Sequence, residues 1–254
     1  MLPDPPTRQV QSVRQAFEIL HIIQEYGGAT PAQITEQLDI SKSSVHNYMS
    51  TLEILGYVVN ESGIYRLGLR SLTHGVGAMN TVNIRRFSGI VDGVAREFSM
   101  LTWLVTEELG RGYFLDRSTT DGVDEIYGTV GKRSYLHTHG PGKAILATLS
   151  DEDVQKVIDL HGLPAHTIRT VGESDALFAD LAEVREQGFA TSEGESVLDI
   201  FSIGVAFRDV QNRVHAIGVF GYSRDFAGDR PTTVGTNLRD TVHGLVAQTE
   251  QAVL

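Results

Sequence analysis

Residues 30–66, TPAQITEQLDISKSSVHNYMSTLEILGYVVNESGIYR, decide the fold of this chain. Thr30 is a helix N-cap, and Pro31 sits at the first helical position, where its missing N–H costs nothing. Ile34 and Leu38, four apart, point one way into a core. Asp39-Ile40 makes a turn, and Ser41 caps a second helix. In that helix Val45, Tyr48, Met49 and Leu52 recur at i, i+3, i+4 and i+7, which sets one apolar face. Ser43, His46, Asn47 and Ser50 fall at the same spacing on the opposite face. Gly56 ends the helix. Tyr57–Val59 and Ile64–Leu67 then read as two strands joined through Asn60-Glu61-Ser62-Gly63. A short helix, a tight turn, a longer helix and a hairpin make the winged helix-turn-helix pattern, which places one helix in the major groove of DNA.

The polar face of the second helix carries short or planar hydrogen-bonding side chains, where an idle surface helix carries Glu and Lys. Ser and Asn are mediocre helix formers, so their presence has a local cost. Asn pairs with adenine edges, and Ser reaches bases or phosphates. The expected DNA-facing set is therefore Thr30, Ser41, Lys42, Ser43, Ser44, His46, Asn47 and Ser50. Arg66 on the hairpin is expected to reach a phosphate or the minor groove. The plainer alternative is a merely solvated face, with Arg66 solvating its strand.

On the N-terminal side, Val13, Phe17, Leu20 and Gln24 form one stripe of a helix over 12–26, with Ala16 and Ile23 filling it in. Ser12 is its expected N-cap, and Gly27-Gly28 its end. On the C-terminal side, Leu72, Val76 and Met79 are spaced as a helix across 70–84. Phe87, Ile90, Val91, Val94 and Phe98 make a second amphipathic stretch over 85–98. The expected division is a winged helix-turn-helix domain (1–69), a linker helix (70–84) and a second domain (85–254).

From Leu101 the period changes. Segments 101–108, 111–117 and 123–130 read as strands. Helices are expected over 140–149, over 151–160 with Ser150 as cap, and over 173–187. Strands 201–209 and 213–221 turn near Gln211-Asn212, and a helix over 232–252 closes the chain. Strands flanked by helices give a mixed α/β (α+β) domain, able to hold a small molecule between strands and loops.

The whole pattern resembles the IclR-type transcriptional regulators. Residues 12–69 are similar to that family's winged-helix domain. The run His137-Thr138-His139-Gly140-Pro141-Gly142-Lys143-Ala144-Ile145-Leu146-Ala147 resembles its effector-domain motif, roughly His-x-x-x-x-Gly-Lys-Ala-x-Leu-Ala. Gly188-Phe189-Ala190 through Glu193, with Ile203 to Asp209, resembles its second signature. The resemblance implies a homodimeric or homotetrameric repressor or activator. Its C-terminal effector domain would be GAF-like and would bind a small organic acid, aromatic compound or sugar-derived metabolite. It further implies effector contacts at Val123, Gly140, Pro141, Gly142, Ser192, Ile200, Ser202, Val219 and Gly221. Backbone N–H groups at the start of the helix from Gly140 would suit a carboxylate. The chain departs from the pattern at Ser202, where many members have Cys, at Val219 and Gly221, where some have Ser, and at Asp199, where Gly is usual.

Other chemistries are poorly served. The chain has no cysteine, which removes disulfides and thiolate metal sites. His137 and His139, with Asp159, His161 and His166 nearby, lack an HExxH-type spacing, so no metal is expected. Gly140-Pro141-Gly142-Lys143 lacks the spacing of a phosphate loop, so no nucleotide cofactor is expected either. Glu193 and Glu195 read as turn or cap residues. No GxSxG or triad is visible, and no catalytic residue is assigned. The N-terminal MLPDPPTRQ lacks the apolar core of a signal peptide, and no apolar run approaches membrane-spanning length, so a cytoplasmic protein is expected. The expected partners are duplex operator DNA, a small-molecule effector and further copies of the chain, with no membrane. The charge is unusual for a DNA binder: 21 basic against 32 acidic residues give −11. Residues 1–80 hold five basic and seven acidic residues, so the acidity sits mainly elsewhere. Only four of the basic residues are Lys. Such a surface suits a salt-rich cytosol, where self-repulsion is screened; the plainer alternative is an ordinary acidic mesophile protein.

Overall fold

The computed structural model describes residues 9–82, 84–124 and 126–251. They form two compact units that divide between Val82 and Ile84. The readings made for residues 1–8, 83, 125 and 252–254 lie outside the described residues.

The first unit contains α1 (Gln11–Glu25), α2 (Pro31–Leu38), α3 (Lys42–Ile54), β1 (Val58–Glu61), β2 (Ile64–Leu67) and α4 (Arg70–Val82). Thr30 caps α2 through a complete capping box with Gln33, and Ser41 caps α3 by accepting from Ser44 N. Asp39 holds the left-handed turn between the two helices, at φ 49°. The core is Ile19, Ile22 and Ile23 of α1 against Ile34, Val45, Met49, Leu52 and Val58. Two expectations for α1 are corrected. Its N-cap is Val10, with no side-chain bond, rather than Ser12. Val13 and Phe17 are 54% and 69% exposed, because α1 carries two neighbouring apolar stripes and the core takes the isoleucine one. The hairpin turn is Ser62-Gly63, with both φ positive; Asn60 and Glu61 belong to β1. Asn60 Oδ1 accepts from Gly63 N, as a two-residue turn of this kind allows.

The second unit contains α5 (Ser88–Phe98), β3 (Leu101–Glu108), β4 (Arg111–Ser118), β5 (Arg133–Tyr135), α6 (Gly140–Ala147), α7 (Asp151–His161), α8 (Ser174–Gln187), β6 (Ala190–Glu193), β7 (Ile200–Arg208), β8 (Val214–Tyr222) and α9 (Arg230–Gln251). One antiparallel sheet runs β5-β4-β3-β8-β7-β6. The described residues of 123–130 form no strand, against the expectation, and the short edge strands β5 and β6 complete the sheet instead. Side chains alternate across the sheet. Ser202, Gly204, Gly218 and Phe220 share the face covered by α6, whereas Phe201, Ile203, Phe207, Val219 and Gly221 point to the other. On that second face Phe87 packs on Phe207 and His215, and α5 packs with α9.

The α6 packing explains three glycines. A Cβ on Gly204 would lie 2.3 Å from Pro141 N, one on Gly218 would lie 2.1 Å from Pro141 Cγ, and one on Gly142 would lie 2.1 Å from Leu136 O. The helix therefore touches the sheet backbone to backbone.

Candidate DNA-reading face and effector site

In α3, Ser43, His46 and Asn47 are exposed and Ser50 is half-buried, while Val45, Met49 and Leu52 are buried behind them. Lys42 is exposed and forms no ion pair among the described residues. Ser41 Oγ lies 2.9 Å from Ser43 Oγ and 2.8 Å from Ser44 Oγ, a small hydroxyl cluster at the helix start. Thr30 and Ser41 are committed to caps, so their side chains are shared between helix and surroundings. Arg66 stands on the hairpin with its Nε on Glu61 at 2.7 Å and an Nη donating to Gly27 O at 2.8 Å. A phosphate would have to compete with Glu61 for it. Ser44 and Asn47 also border a groove of ≈ 520 Å³ between α1 and α3, walled by Val13, Phe17 and Leu55.

In the second unit the start of α6 is internally satisfied. Gly140 N donates to Ser202 Oγ at 2.9 Å, Gly142 N to His139 Nδ1 at 3.0 Å, and Lys143 N to His139 O at 3.0 Å. Pro141 has no N–H. In this structure the donors that the resemblance offers to a carboxylate are taken by Ser202 and His139. Ser192 Oγ likewise donates to Thr138 O. Val219 is fully buried on the opposite face of the sheet, and Gly221 lies against Phe226 there, so neither joins Ser202. The period-two alternation of the strand separates them. Val123 and Ile200 do come together, around the cluster of Trp103, Phe114, Tyr127 and Phe220.

That aromatic cluster was not foreseen, because its members are scattered over more than 100 residues. Phe114 is its hub, 5.3 Å from Trp103, 5.6 Å from Tyr127 and 6.1 Å from Phe220 between ring centroids. Trp103 Nε1 donates to Tyr127 O at 2.9 Å, and the Tyr127 hydroxyl bonds Ser196.

The histidines of the motif are structural. Because His139 Nδ1 accepts a bond, its proton must sit on Nε2, which donates to Ser134 Oγ at 2.8 Å. Burial lowers the pKa of His139 to about 3 and that of His137 to about 4. Both are neutral in the fold, and both take up protons on unfolding below about pH 6.5. Stability should therefore be full above about pH 6.5 and fall as the pH drops toward 4 and then 3. Between pH 7 and 5, urea unfolding should show a loss on the order of 2 kcal/mol from His139 alone. A flat profile over that range would contradict the assignment. Lys143 lies buried with its Nζ 2.6 Å from Glu195 and 2.7 Å from Asp180. Glu195 is thus an ion-pair partner held in a turn, and Glu193 pairs separately with Arg169.

A reading helix on a small winged unit, followed by an α+β unit with a sheet-bound motif helix and an aromatic cluster, defines a DNA-binding regulator with a sensor-type domain. Comparison with known proteins agrees. The IclR helix-turn-helix domain model matches residues 12–62, and the bacterial transcriptional regulator IclR C-terminal model matches residues 76–246. The chain belongs to the IclR family of transcriptional regulators. It is 32% identical over 241 residues to a probable HTH-type transcriptional regulator, ArcR, of Halobacterium salinarum, covering 89% of this chain and 90% of that protein. It is 27% identical over 248 residues to the transcriptional repressor IclR of Escherichia coli, covering 91% and 87%. These relatives are named as regulators, not enzymes. Among solved structures, an IclR regulator from Alicyclobacillus acidocaldarius superposes with a TM-score of 0.77 at 23% identity, covering 95% and 100%. An IclR homologue from Microbacterium hydrocarbonoxydans complexed with 4-hydroxybenzoate gives 0.71 at 20% identity, covering 88% and 92%. No helix among the described residues is long and apolar enough to cross a membrane.

Proposed function

We propose that this regulator, as a homodimer or homotetramer, reads a pseudo-palindromic operator with α3 of each copy. We further propose that a small organic acid or aromatic metabolite bound in the C-terminal unit tunes that affinity. The observation that carries the reading is the outward face of α3: Ser43, His46 and Asn47 are exposed over a buried Val45–Met49–Leu52 seam. Ser43 Oγ meets only the cap hydroxyl of Ser41, and the side chains of His46 and Asn47 make no hydrogen bond among the described residues, while their chemistry suits base edges. A solved homologue of the same fold is complexed with 4-hydroxybenzoate, an aromatic acid, which favours an effector of that class. A ligand changes operator affinity only by its differential affinity for the two arrangements of the reading heads.

The test is operator binding by anisotropy and footprinting. Asn47→Ala should lose about 1–3 kcal/mol of discrimination at one base position in each half-site, with the fold intact by circular dichroism. Wild-type footprints from this variant would refute the assignment. Since the first unit carries no basic excess, log affinity against log salt should be shallower than the slope near −10 of a strongly phosphate-bound repressor.

A further inference from the structure

The start of α6 has no free N–H for an acidic ligand, so an anion in this unit needs another anchor. Two cations stand beside the aromatic cluster: Arg117, with its guanidinium 5.8 Å from the Trp103 ring centroid, and Lys132. Lys132 Nζ lies 3.7 Å from the ring centroid of Tyr127 and 5.6 Å from that of Phe114. Lys132 is half-buried and makes no ion pair among the described residues. On its other face the Tyr127 ring stacks on Phe220, with centroids 4.7 Å apart and planes 12° from parallel. The Tyr127 ring is thus sandwiched between the Phe220 ring and an ammonium that meets no carboxylate among the described residues.

Tyr127 lies in no strand or helix. Its segment joins β4 to β5 and carries left-handed glycines at 122, 128 and 131. The sandwich is the arrangement that an aromatic carboxylate would itself seek: a ring for Phe220 to stack on and an anion for Lys132 to pair with. We infer that Lys132 is the anion anchor of a slot that Tyr127 fills in the free protein, and that the matching ligand is an aromatic carboxylate that displaces the Tyr127 ring. This rests on the reading of the second unit as an effector domain. Exchange of a cation–π contact for a charge-assisted hydrogen bond gives such a ligand a gain that a neutral aromatic lacks. It also makes the 119–132 segment the part that responds to ligand.

Trp103 reports on the slot directly. It is the single tryptophan of the chain, and its indole N–H holds the Tyr127 carbonyl. The experiment is a Trp fluorescence titration of the full chain with benzoate, with its neutral isostere benzamide and with pyruvate, for wild type, Lys132→Gln and Lys132→Arg. Benzoate should shift the emission saturably. Lys132→Gln should weaken benzoate about tenfold or more while leaving benzamide unchanged, and Lys132→Arg should restore most of it, since either cation can pair with a carboxylate. Equal benzoate affinity in wild type and Lys132→Gln, or equal wild-type affinity for benzoate and benzamide, would overturn the inference. Binding of pyruvate without benzoate would overturn it too, yet leave the effector reading standing. Failure of all three probes would count against both.

Discussion

Lys143→Met should destabilise the second unit by about 3–5 kcal/mol, the cost of leaving a buried carboxylate without its counter-charge. Glu195 is 6% exposed, and Lys143 Nζ sits 2.6 Å from its Oε1. Its other oxygen has only the Val171 N–H, at 3.4 Å. Asp180 is better solvated and adds less. The lysine ties α6 to α8 and to the 194–196 turn. Urea unfolding followed by Trp103 reads this unit alone, so the midpoint should fall without a change in slope. The double variant Lys143→Met/Glu195→Leu should regain much of the loss, because a buried ion pair is often matched by apolar residues of similar size. A loss under about 1 kcal/mol in the single variant would show the pair to be effectively solvated. The lysine of the motif then reads as a tie of the fold rather than a ligand group.

Gly204→Ala should cost about 3 kcal/mol or more, at or beyond the upper end of ordinary overpacking. Its Cβ would meet Pro141 N at 2.3 Å, Pro141 Cα at 2.4 Å and Gly140 C at 2.5 Å. All three belong to or adjoin backbone that no rotamer change can move. The start of α6 would have to lift from β7, breaking the Gly140 N to Ser202 Oγ bond as it does so. Gly75→Ala is the matched control: its Cβ meets nothing within 4 Å, in a helix where Ala is favoured. That variant should unfold as wild type or slightly later. Equal midpoints for the Gly204 and Gly75 variants would mean that the close approach of α6 to the sheet is not maintained in solution.

Local rules carried the first unit far. The caps at Thr30 and Ser41 and the apolar seam of α3 act over a few positions each, and the structure has them where the sequence pattern puts them; the hairpin is present too, with its turn narrowed to Ser62-Gly63. The miss at α1 was also local in origin. Two apolar stripes lay side by side, and only packing against Ile34 and Met49 decided that Ile19 and Ile23 go inward while Phe17 stays out. In the second unit most helices and long strands were legible, but β5, β6 and the irregular 119–132 segment were not. Edge pairing is decided by partners far along the chain, as in Ala190 against Gly204.

What the sequence alone determined is a winged reading head with hydroxyl and amide groups outward on α3, and a second domain built around the motif helix. Helix and strand periodicities and caps are short-range and leave their mark in neighbouring residues. What only the tertiary structure decided is which groups remain available to a ligand. Ser202 closes the start of α6 from 62 positions away. Val219 is turned from that site by one step of strand register. Lys132 is left beside a ring cluster assembled from Trp103 to Phe220. Those outcomes depend on contacts between distant segments, where hydrogen-bond donors and charges are satisfied or left over only once the sheet has closed.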